Sequence, residues 1–160
     1  GMTMTKILTV SDTHRSLENL QAAIELNPDA DYIFHMGDGI ADLDSFDLPI
    51  PSERIIRVRG NCDLNRAPWQ IVQTVNGLRI LVLHGHVHDV KQSLDKLVYT
   101  ALDIGADAVF FGHTHRPVGR YEEGIFLLNP GSLASQLPTY AIVTIKNGEF
   151  KSEHRVLAVY

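Results

Sequence analysis

Gly112-His113-Thr114-His115 directly follows the apolar run Ala108-Val109-Phe110-Phe111. This order places two imidazoles on alternate residues, just where a buried strand would end. Side chains alternate between the two faces of a strand, so two that converge on one point need the chain to turn between or after them. Gly112 permits such a turn. The stretch therefore predicts a strand that delivers a pair of functional histidines at its end.

Four other apolar runs end in the same way, each in Asp, Asn or His. They lead into Asp12-Thr13-His14, Gly37-Asp38, Gly60-Asn61 and His84-Gly85-His86. These side chains bind divalent metals, and α/β folds usually build a site from the ends of separate strands. The candidate metal ligands are therefore Asp12, His14, Asp38, Asn61, His84, His113 and His115.

This ligand set is too large for one zinc ion, which takes about four ligands. It suits two ions that share a bridging carboxylate. Such a pair can clamp the attacking and leaving oxygens of a displacement at phosphorus and can hold a water deprotonated near neutral pH. The pattern therefore predicts phosphoester hydrolysis.

Bulk properties narrow the class of protein. The 160 residues suffice for one domain, which we expect to span residues 2–160, with Gly1 as the scar of a cleaved tag. The formal charge of −5 argues against strong nucleic-acid binding. Cys62 is the only cysteine, and neither a signal peptide nor a membrane-spanning run is evident. We expect a cytoplasmic protein without membrane contact.

Periodicity predicts an α/β fold that is not a simple alternating one. We expect one helix capped by Ser16 and a second capped by Asp89 that closes at Gly105. Asn76-Gly77 is a strong hairpin signal and introduces an antiparallel pair. Further hairpins follow in the second half, so we predict a single α/β domain built as a two-sheet β-sandwich flanked by helices.

The five motifs, in this order and each after a strand, resemble those of the calcineurin-like metallophosphoesterases, and more narrowly of their small prokaryotic phosphodiesterase branch. The similarity extends from about Lys6 to Ser132. It implies a sandwich without a cap domain and two divalent ions per chain, manganese first, with iron, zinc or nickel as alternatives. It also implies that Asp12, His14 and His115 hold one ion, that Asn61, His84 and His113 hold the other, and that Asp38 bridges them.

One position departs from many relatives. Where they carry a histidine that can protonate the leaving group, this chain has Cys62. A thiolate could not donate that proton, so we expect action on phosphodiesters with good leaving groups and weak action on alkyl monoesters. A small packed residue without a catalytic role is the alternative for Cys62. His86 would assist substrate placement, and Asn61 is a candidate for both metal binding and catalysis.

The resemblance thus implies a phosphodiesterase in which a metal-bound hydroxide attacks a small phosphodiester. A phosphomonoesterase or nucleotidase, and a non-catalytic scaffold like the phosphoesterase-like subunit of the retromer coat, are alternatives. A homo-oligomer that completes the open site is a further expectation. We expect structural roles for His35 and His154 and a helix-entry position for His88. We expect a supporting or turn role for Asp63, and we expect Asn129 and Ser132 to lie beside the metals. Arg15 and Arg116 could meet a phosphate, and candidates for pocket walls are Phe46, Trp69 and Tyr140.

Overall fold

A computed structural model describes residues 4–157; the predicted tag scar at Gly1 lies outside them. The strands are β1 (Thr5–Val10), β2 (Tyr32–His35), β3 (Ile55–Arg57), β4 (Gln70–Val75), β5 (Leu78–Leu83), β6 (Ala108–Phe110), β7 (Val118–Glu122), β8 (Ile125–Asn129), β9 (Thr139–Lys146) and β10 (Glu149–Val156). The α-helices are α1 (Leu17–Glu25) and α2 (Asp95–Ile104), and short 3-10 helices cover Ile40–Ser45 and Ser52–Arg54.

The strands form two mixed sheets of five strands each. One sheet has the order β10-β9-β1-β2-β3, and the other has the order β4-β5-β6-β8-β7. The predicted two-sheet architecture of a single domain is confirmed. The hairpin predicted at Asn76-Gly77 is the β4–β5 turn, and one of the hairpins predicted in the second half is the β9–β10 turn at Asn147-Gly148.

Alternating side chains divide the core into three layers. Ile7 on β1 packs in the cluster between the sheets, together with Phe34 from its own sheet and Phe110 from the other. Its neighbour Leu8 points to the opposite face and packs under α1. A third cluster, which includes Leu97 of α2, covers the outer face of the second sheet. Each sheet is therefore buried on both faces at its centre.

Parallel pairing explains why the polar motifs meet. β1, β2 and β3 run parallel, as do β5, β6 and β8, so their carboxyl ends lie at one edge of each sheet. Backbone bonds join the loops that follow: Asp12 N donates to Gly37 O at 2.9 Å, and Gly112 N donates to His84 O at 3.0 Å. The edges of the two sheets together carry the candidate site.

Two helix starts differ from the prediction. Ser16 occupies the N-cap position of α1, but its side chain makes no capping hydrogen bond. The cap predicted at Asp89 and the helix entry predicted at His88 are wrong: α2 begins at Asp95, and the Asp89 carboxylate instead pairs with Lys96. The segment before α2 forms turns that still bury apolar side chains, and apolar spacing alone does not distinguish such turns from a helix. Gly105 ends α2 in the left-handed conformation, as predicted.

Within residues 4–157, no helix has the length and apolar character needed to cross a membrane.

Candidate metal centre

Two buried carboxylates lie at the centre of the site, and each uses one oxygen on local donors. Asp12 Oδ2 accepts hydrogen bonds from Ser11 Oγ and, at 3.0 Å, from the His113 backbone N–H. Asp38 Oδ1 accepts from the Cys62 backbone N–H at 2.7 Å. The second oxygens, Asp12 Oδ1 and Asp38 Oδ2, both face imidazoles. The local bonds thus fix both carboxylates and leave one oxygen of each directed into the site.

Histidine nitrogens surround these two free oxygens. Asp12 Oδ1 lies 3.2 Å from His115 Nε2 and 3.8 Å from Nε2 of both His14 and His84. Asp38 Oδ2 lies 3.2 Å from His84 Nε2 and 3.9 Å from His14 Nε2. The motifs of four separate loops therefore converge within a few ångströms.

The side chains separate into two groups with metal-binding geometry. Asp12, His14 and His115 place one ligand atom each within 4.8 Å of one another, and so do Asp38, His84 and His113. These two groups divide the histidines in the same way as the sequence resemblance does. A third, overlapping group joins His14 and Asp38 to Cys62, a residue that sequence reasoning did not place among the ligands.

His84 shows that the site suits a cation. Its Nδ1 lies 2.7 Å from the carbonyl oxygen of Met36, which can only accept, so Nδ1 carries the proton. Its Nε2 is buried and has no hydrogen-bond partner among the described residues. In the neutral ring, Nε2 carries the lone pair and faces two carboxylate oxygens. The Met36 carbonyl fixes the ring orientation, so Nε2 is suited to bind a metal.

The electrostatics of the centre agree with this reading. Burial disfavours a charged imidazole, but the Asp38 carboxylate, 3.2 Å from Nε2, and the charge of Asp12 outweigh it and raise the pKa of His84. Burial also opposes ionisation of Asp38, yet His84 and the Cys62 N–H hold the pKa of that carboxyl well below its usual range. Burial, followed by the charges of His84 and Lys91, lowers the pKa of His113. The carboxylates create a field that favours positive charge at Nε2 of His84.

Backbone conformation marks the same residues. Five of the seven candidate ligands have positive φ values, which are uncommon for residues with a side chain; they are Asp12 (51°), His14 (39°), Asp38 (60°), His113 (68°) and His115 (62°). Strain of this kind costs about 1–3 kcal/mol per residue and clusters at functional sites. The positive φ angles turn the backbone at His113 and His115, so that these alternate residues can both direct their imidazoles to the metal centre.

Gly112 serves a different purpose from the one predicted. The turn is made by His113 and His115, whereas a Cβ atom on Gly112 would collide with Ser11 Oγ and approach Asp12 Oδ2 to 2.7 Å. Gly60 is similar, because its Cβ would meet Asp38 Oδ1 and, at 2.6 Å, the Asp38 backbone nitrogen. Both glycines let a neighbouring chain approach a central carboxylate.

Asp63 supports the Asp38 loop, which is the kind of role expected for it. Its two carboxylate oxygens accept backbone N–H groups from Asp38 and Gly60 at 2.8 Å, from Gly39 at 2.8 Å and from Ile40 at 3.3 Å. Four N–H groups of two separate loops are thereby satisfied by one buried carboxylate. The position of Asp38 depends on this arrangement.

A buried network under the first motif was missed by sequence reasoning. His35 Nδ1 accepts the Gly37 N–H at 3.1 Å, so Nε2 carries the proton and donates to Thr13 Oγ1 at 3.0 Å. The Thr13 hydroxyl donates to Asp42 at 2.6 Å, and Asp42 also accepts the Arg15 N–H at 2.9 Å. Asp42 lies in the 3-10 helix, and no local sequence pattern links it to Thr13.

The predicted neighbours Asn129 and Ser132 act on the backbone of the motifs. Asn129 Nδ2 donates to Gly112 O at 3.0 Å, and Ser132 Oγ donates to Asp12 O at 2.8 Å. His154 Nε2 lies 2.7 Å from Asn129 O, which it donates to, in keeping with a structural role.

The three residues predicted to be catalytic lie at the rim. The side chains of Asn61 and Cys62 are exposed, and Asn61 Nδ2 donates to Cys62 Sγ at 3.7 Å. Partial burial and the charge of Asp38 raise the pKa of the Cys62 thiol. The His86 ring lies 5.5 Å from that of His84 and 5.4 Å from that of Trp69. Burial, followed by the charge of His84, lowers the pKa of His86, so this imidazole is neutral at pH 7.

A cleft of about 430 Å³ opens beside the centre and is lined by His14, Arg15, Cys62, Leu64 and Asn65, among others. Of the aromatic residues considered as walls, Trp69 is exposed next to His86. Tyr140 is only 2% exposed, and Phe46 packs against the core under α1. Neither of these two walls a substrate pocket at the metal centre.

Comparison with known proteins places this geometry in context. Residues 5–148 match the calcineurin-like phosphoesterase superfamily domain. A probable metallophosphoesterase of Bacillus subtilis, YsnB, is 32% identical over 147 residues, which cover 88% of this chain and 85% of that protein. The phosphodiesterase YfcE of Escherichia coli K12 is 30% identical over 156 residues, covering 82% of this chain and 80% of YfcE.

Solved structures agree at the level of the fold. A structure described as that of a novel archaeal phosphodiesterase superposes with a TM-score of 0.78 at 25% identity, covering 96% of this chain and 100% of that one. Vacuolar protein sorting 29 from Cryptosporidium parvum has a TM-score of 0.75 over 98% of this chain and 99% of its own, but only 14% identity. This second likeness concerns the fold alone.

Proposed function

Because the chain belongs to the calcineurin-like phosphoesterase superfamily and is a metal-dependent phosphoric ester hydrolase, we propose that it hydrolyses small phosphodiesters with two divalent ions. The observation that supports this most directly is the pair of three-residue groups around Asp12 and Asp38. Manganese is the first candidate metal, with iron, zinc and nickel as alternatives, because imidazole and carboxylate ligands suit all four.

We assign one ion to Asp12, His14 and His115. The second is assigned to His84 and His113, with Asn61 as an additional ligand. Asp38 would be shared by the two ions, because its free oxygen faces His14 of the first group and His84 of the second. Asn61 would bind through its amide oxygen, because its amide nitrogen donates to Cys62 Sγ.

When bound, the ions would lower the pKa of a water molecule and neutralise charge on the phosphate. The chain contributes orientation and solvent exclusion. His86 is neutral and half-buried beside His84, where it can donate a hydrogen bond to a phosphate oxygen. Arg15 lines the adjoining cleft, and its guanidinium can form two parallel hydrogen bonds to a phosphate.

Cys62 supports a preference for diesters over monoesters. Its raised pKa keeps Cys62 a protonated thiol rather than the thiolate considered from the sequence, but an S–H group is a weak donor and therefore a poor proton source for an alkoxide leaving group. Diesters with acidic leaving groups need no such proton. Monoester or nucleotide hydrolysis is the alternative activity, and it requires a donor that the described site does not offer at this position.

A non-catalytic scaffold is the alternative of another class. Vacuolar protein sorting 29 shares the fold at 14% identity, which by itself supports no function here. A scaffold needs no buried cluster in which His84 Nε2 lies 3.2 Å from Asp38 Oδ2 and 3.8 Å from Asp12 Oδ1, whereas a metal site does. The enzyme is therefore favoured. A cytoplasmic location and a homo-oligomer remain predictions.

The test is a hydrolysis screen of manganese-supplemented protein with bis(p-nitrophenyl) phosphate, cyclic nucleotides and p-nitrophenyl phosphate, together with metal analysis. We expect about two ions per chain and the highest kcat/KM for the aryl diester. Asp38→Asn should lose bound metal and at least about a hundredfold in kcat/KM. Asp44→Asn, which alters an exposed carboxylate on the 3-10 helix, is the matched control and should behave like the wild type. Metal-repleted protein that binds no ions would refute the proposal.

A further inference from the structure

A second cleft is lined in part by Thr114, the residue between His113 and His115. It has a volume of about 540 Å³, and its apolar lining includes Leu94, Phe111 and Val118. This volume is typical of small-molecule sites. Because Thr114 lines the cleft and His113 precedes it, the cleft adjoins the candidate metal centre. Proximity alone, however, does not define what could bind there.

The charged side chains that line this cleft are all positive. Lys91, Arg116 and Arg120 line it, and none of its lining residues in the described structure is acidic. Arg120 is paired with Glu122 at 2.9 Å, whereas Lys91 and Arg116 take part in no side-chain ion pair among residues 4–157. Two unpaired cations over an apolar floor are unusual in a chain with a formal charge of −5. They favour an anionic ligand with an apolar body.

Thr114 adds a directed donor. Its Oγ1 accepts hydrogen bonds from the Arg116 backbone N–H and from Asn129 Nδ2, both at 3.1 Å. A hydroxyl oxygen has two lone pairs, so both are occupied and the hydroxyl hydrogen remains free to donate. A phosphate oxygen is an acceptor that fits this donor and the two neighbouring cations.

We propose that this cleft binds a second phosphate carried by the substrate, so that the preferred substrates are phosphodiesters with a further anionic group on an apolar or nucleoside body. The inference rests on the phosphodiesterase function proposed above. The size of the cleft and the negative formal charge of the chain favour a small molecule over a nucleic-acid polymer as the ligand.

The decisive experiment uses two substrates that share one scissile bond. Thymidine 5′-(p-nitrophenyl phosphate) lacks a second phosphate, and its 3′-phosphorylated form carries one. We expect the wild-type enzyme to show about tenfold higher kcat/KM for the phosphorylated form. The double variant Lys91→Gln/Arg116→Gln should bring the ratio of the two kcat/KM values to about one, and this ratio, not the rate on either substrate alone, is the readout. Lys151→Gln, an exposed lysine on β10, is the control and should keep the preference.

The outcomes separate the two proposals. A wild-type preference near one, or a preference that survives in the double variant, overturns the subsite. Activation of the simpler substrate by added inorganic phosphate, lost in the double variant, would show an effector site and overturn the assignment to substrate. Failure to hydrolyse either substrate counts against the phosphodiesterase function itself. Calorimetric binding of thymidine 3′,5′-bisphosphate then tests the cleft directly, and equal affinity of wild type and double variant would refute it.

Discussion

The backbone nitrogen of Asp38 donates a 2.8 Å hydrogen bond to Oδ2 of Asp63, a residue 25 positions further along the chain. The same carboxylate accepts three more backbone N–H groups, from Gly39, Ile40 and Gly60. It therefore holds together the two loops that carry Asp38 and Asn61. The candidate bridging ligand has its orientation set by a residue that makes no contact with a metal in the proposed arrangement.

Asp63→Asn should weaken metal binding while retaining the fold. The amide has one accepting oxygen, so its NH₂ group would face N–H donors and leave part of the network unsatisfied. We expect a loss of about 1–3 kcal/mol in the free energy of unfolding and about a 10- to 100-fold loss of metal affinity. Competition with a chromogenic chelator and thermal unfolding measure the two effects. Metal affinity equal to that of Asp44→Asn would show that Asp63 does not position Asp38.

The positions of the candidate ligands could be predicted because each follows an apolar run. A run of β character followed by Asp, Asn or His is visible locally, and parallel strands bring such ends together. The two sheets and their hairpins could also be predicted from turn residues such as Asn76-Gly77. Whether these residues bind metal as assigned remains a prediction.

The contacts that support the ligands could not be predicted from local sequence patterns, because they join residues that are distant along the chain. The chain gives no local sign that Gly112 must approach Asp12, a residue 100 positions earlier, or that Asp42 accepts from Thr13. The turn attributed to Gly112 is instead made by the positive φ angles of His113 and His115. These features depend on how the two sheets pack.

His35 should make the stability of the protein depend on pH. Burial lowers the pKa of His35 from 6.5 to about 3, so the folded protein keeps it neutral while the unfolded chain protonates it below pH 6.5. Its contribution is fully present above pH 6.5 and is lost as the pH falls toward 3, by up to about 1.4 kcal/mol per pH unit. Urea unfolding of chelator-treated wild type and His35→Gln at several pH values measures this. We expect the difference in unfolding free energy between them to shrink as pH falls; a constant difference would contradict the prediction.

Metal occupancy and activity should fall together in acid. Four imidazoles must be unprotonated to bind metal, and Asp38 and Asp12 raise the pKa of His84 despite its burial, so protons compete at this residue at higher pH than at a free histidine. We expect loss of bound manganese and of turnover below roughly pH 6. Equilibrium dialysis and initial rates between pH 5 and 8 measure both.

Excess manganese provides the control for the predicted loss of activity in acid. If protons act by displacing the metal, a large excess of manganese at pH 6 should restore most of the turnover. Full activity at pH 5 with unchanged bound metal would show that the imidazoles are not ligands. A loss of rate that excess manganese does not reverse would place the critical titration elsewhere.

Cys62→His should shift the balance of activity toward monoesters. The contact of residue 62 with Asp38 uses its backbone N–H, so the substitution preserves it, and the exposed side chain leaves room for an imidazole at the cleft. Unlike the thiol, whose pKa is raised, an imidazolium can protonate a poor leaving group near neutral pH. We expect the ratio of kcat/KM for p-nitrophenyl phosphate to that for bis(p-nitrophenyl) phosphate to rise at least about tenfold. Cys62→Ser is the matched control and should leave the ratio unchanged. An equal ratio in both variants and the wild type would show that Cys62 does not set the preference for diesters.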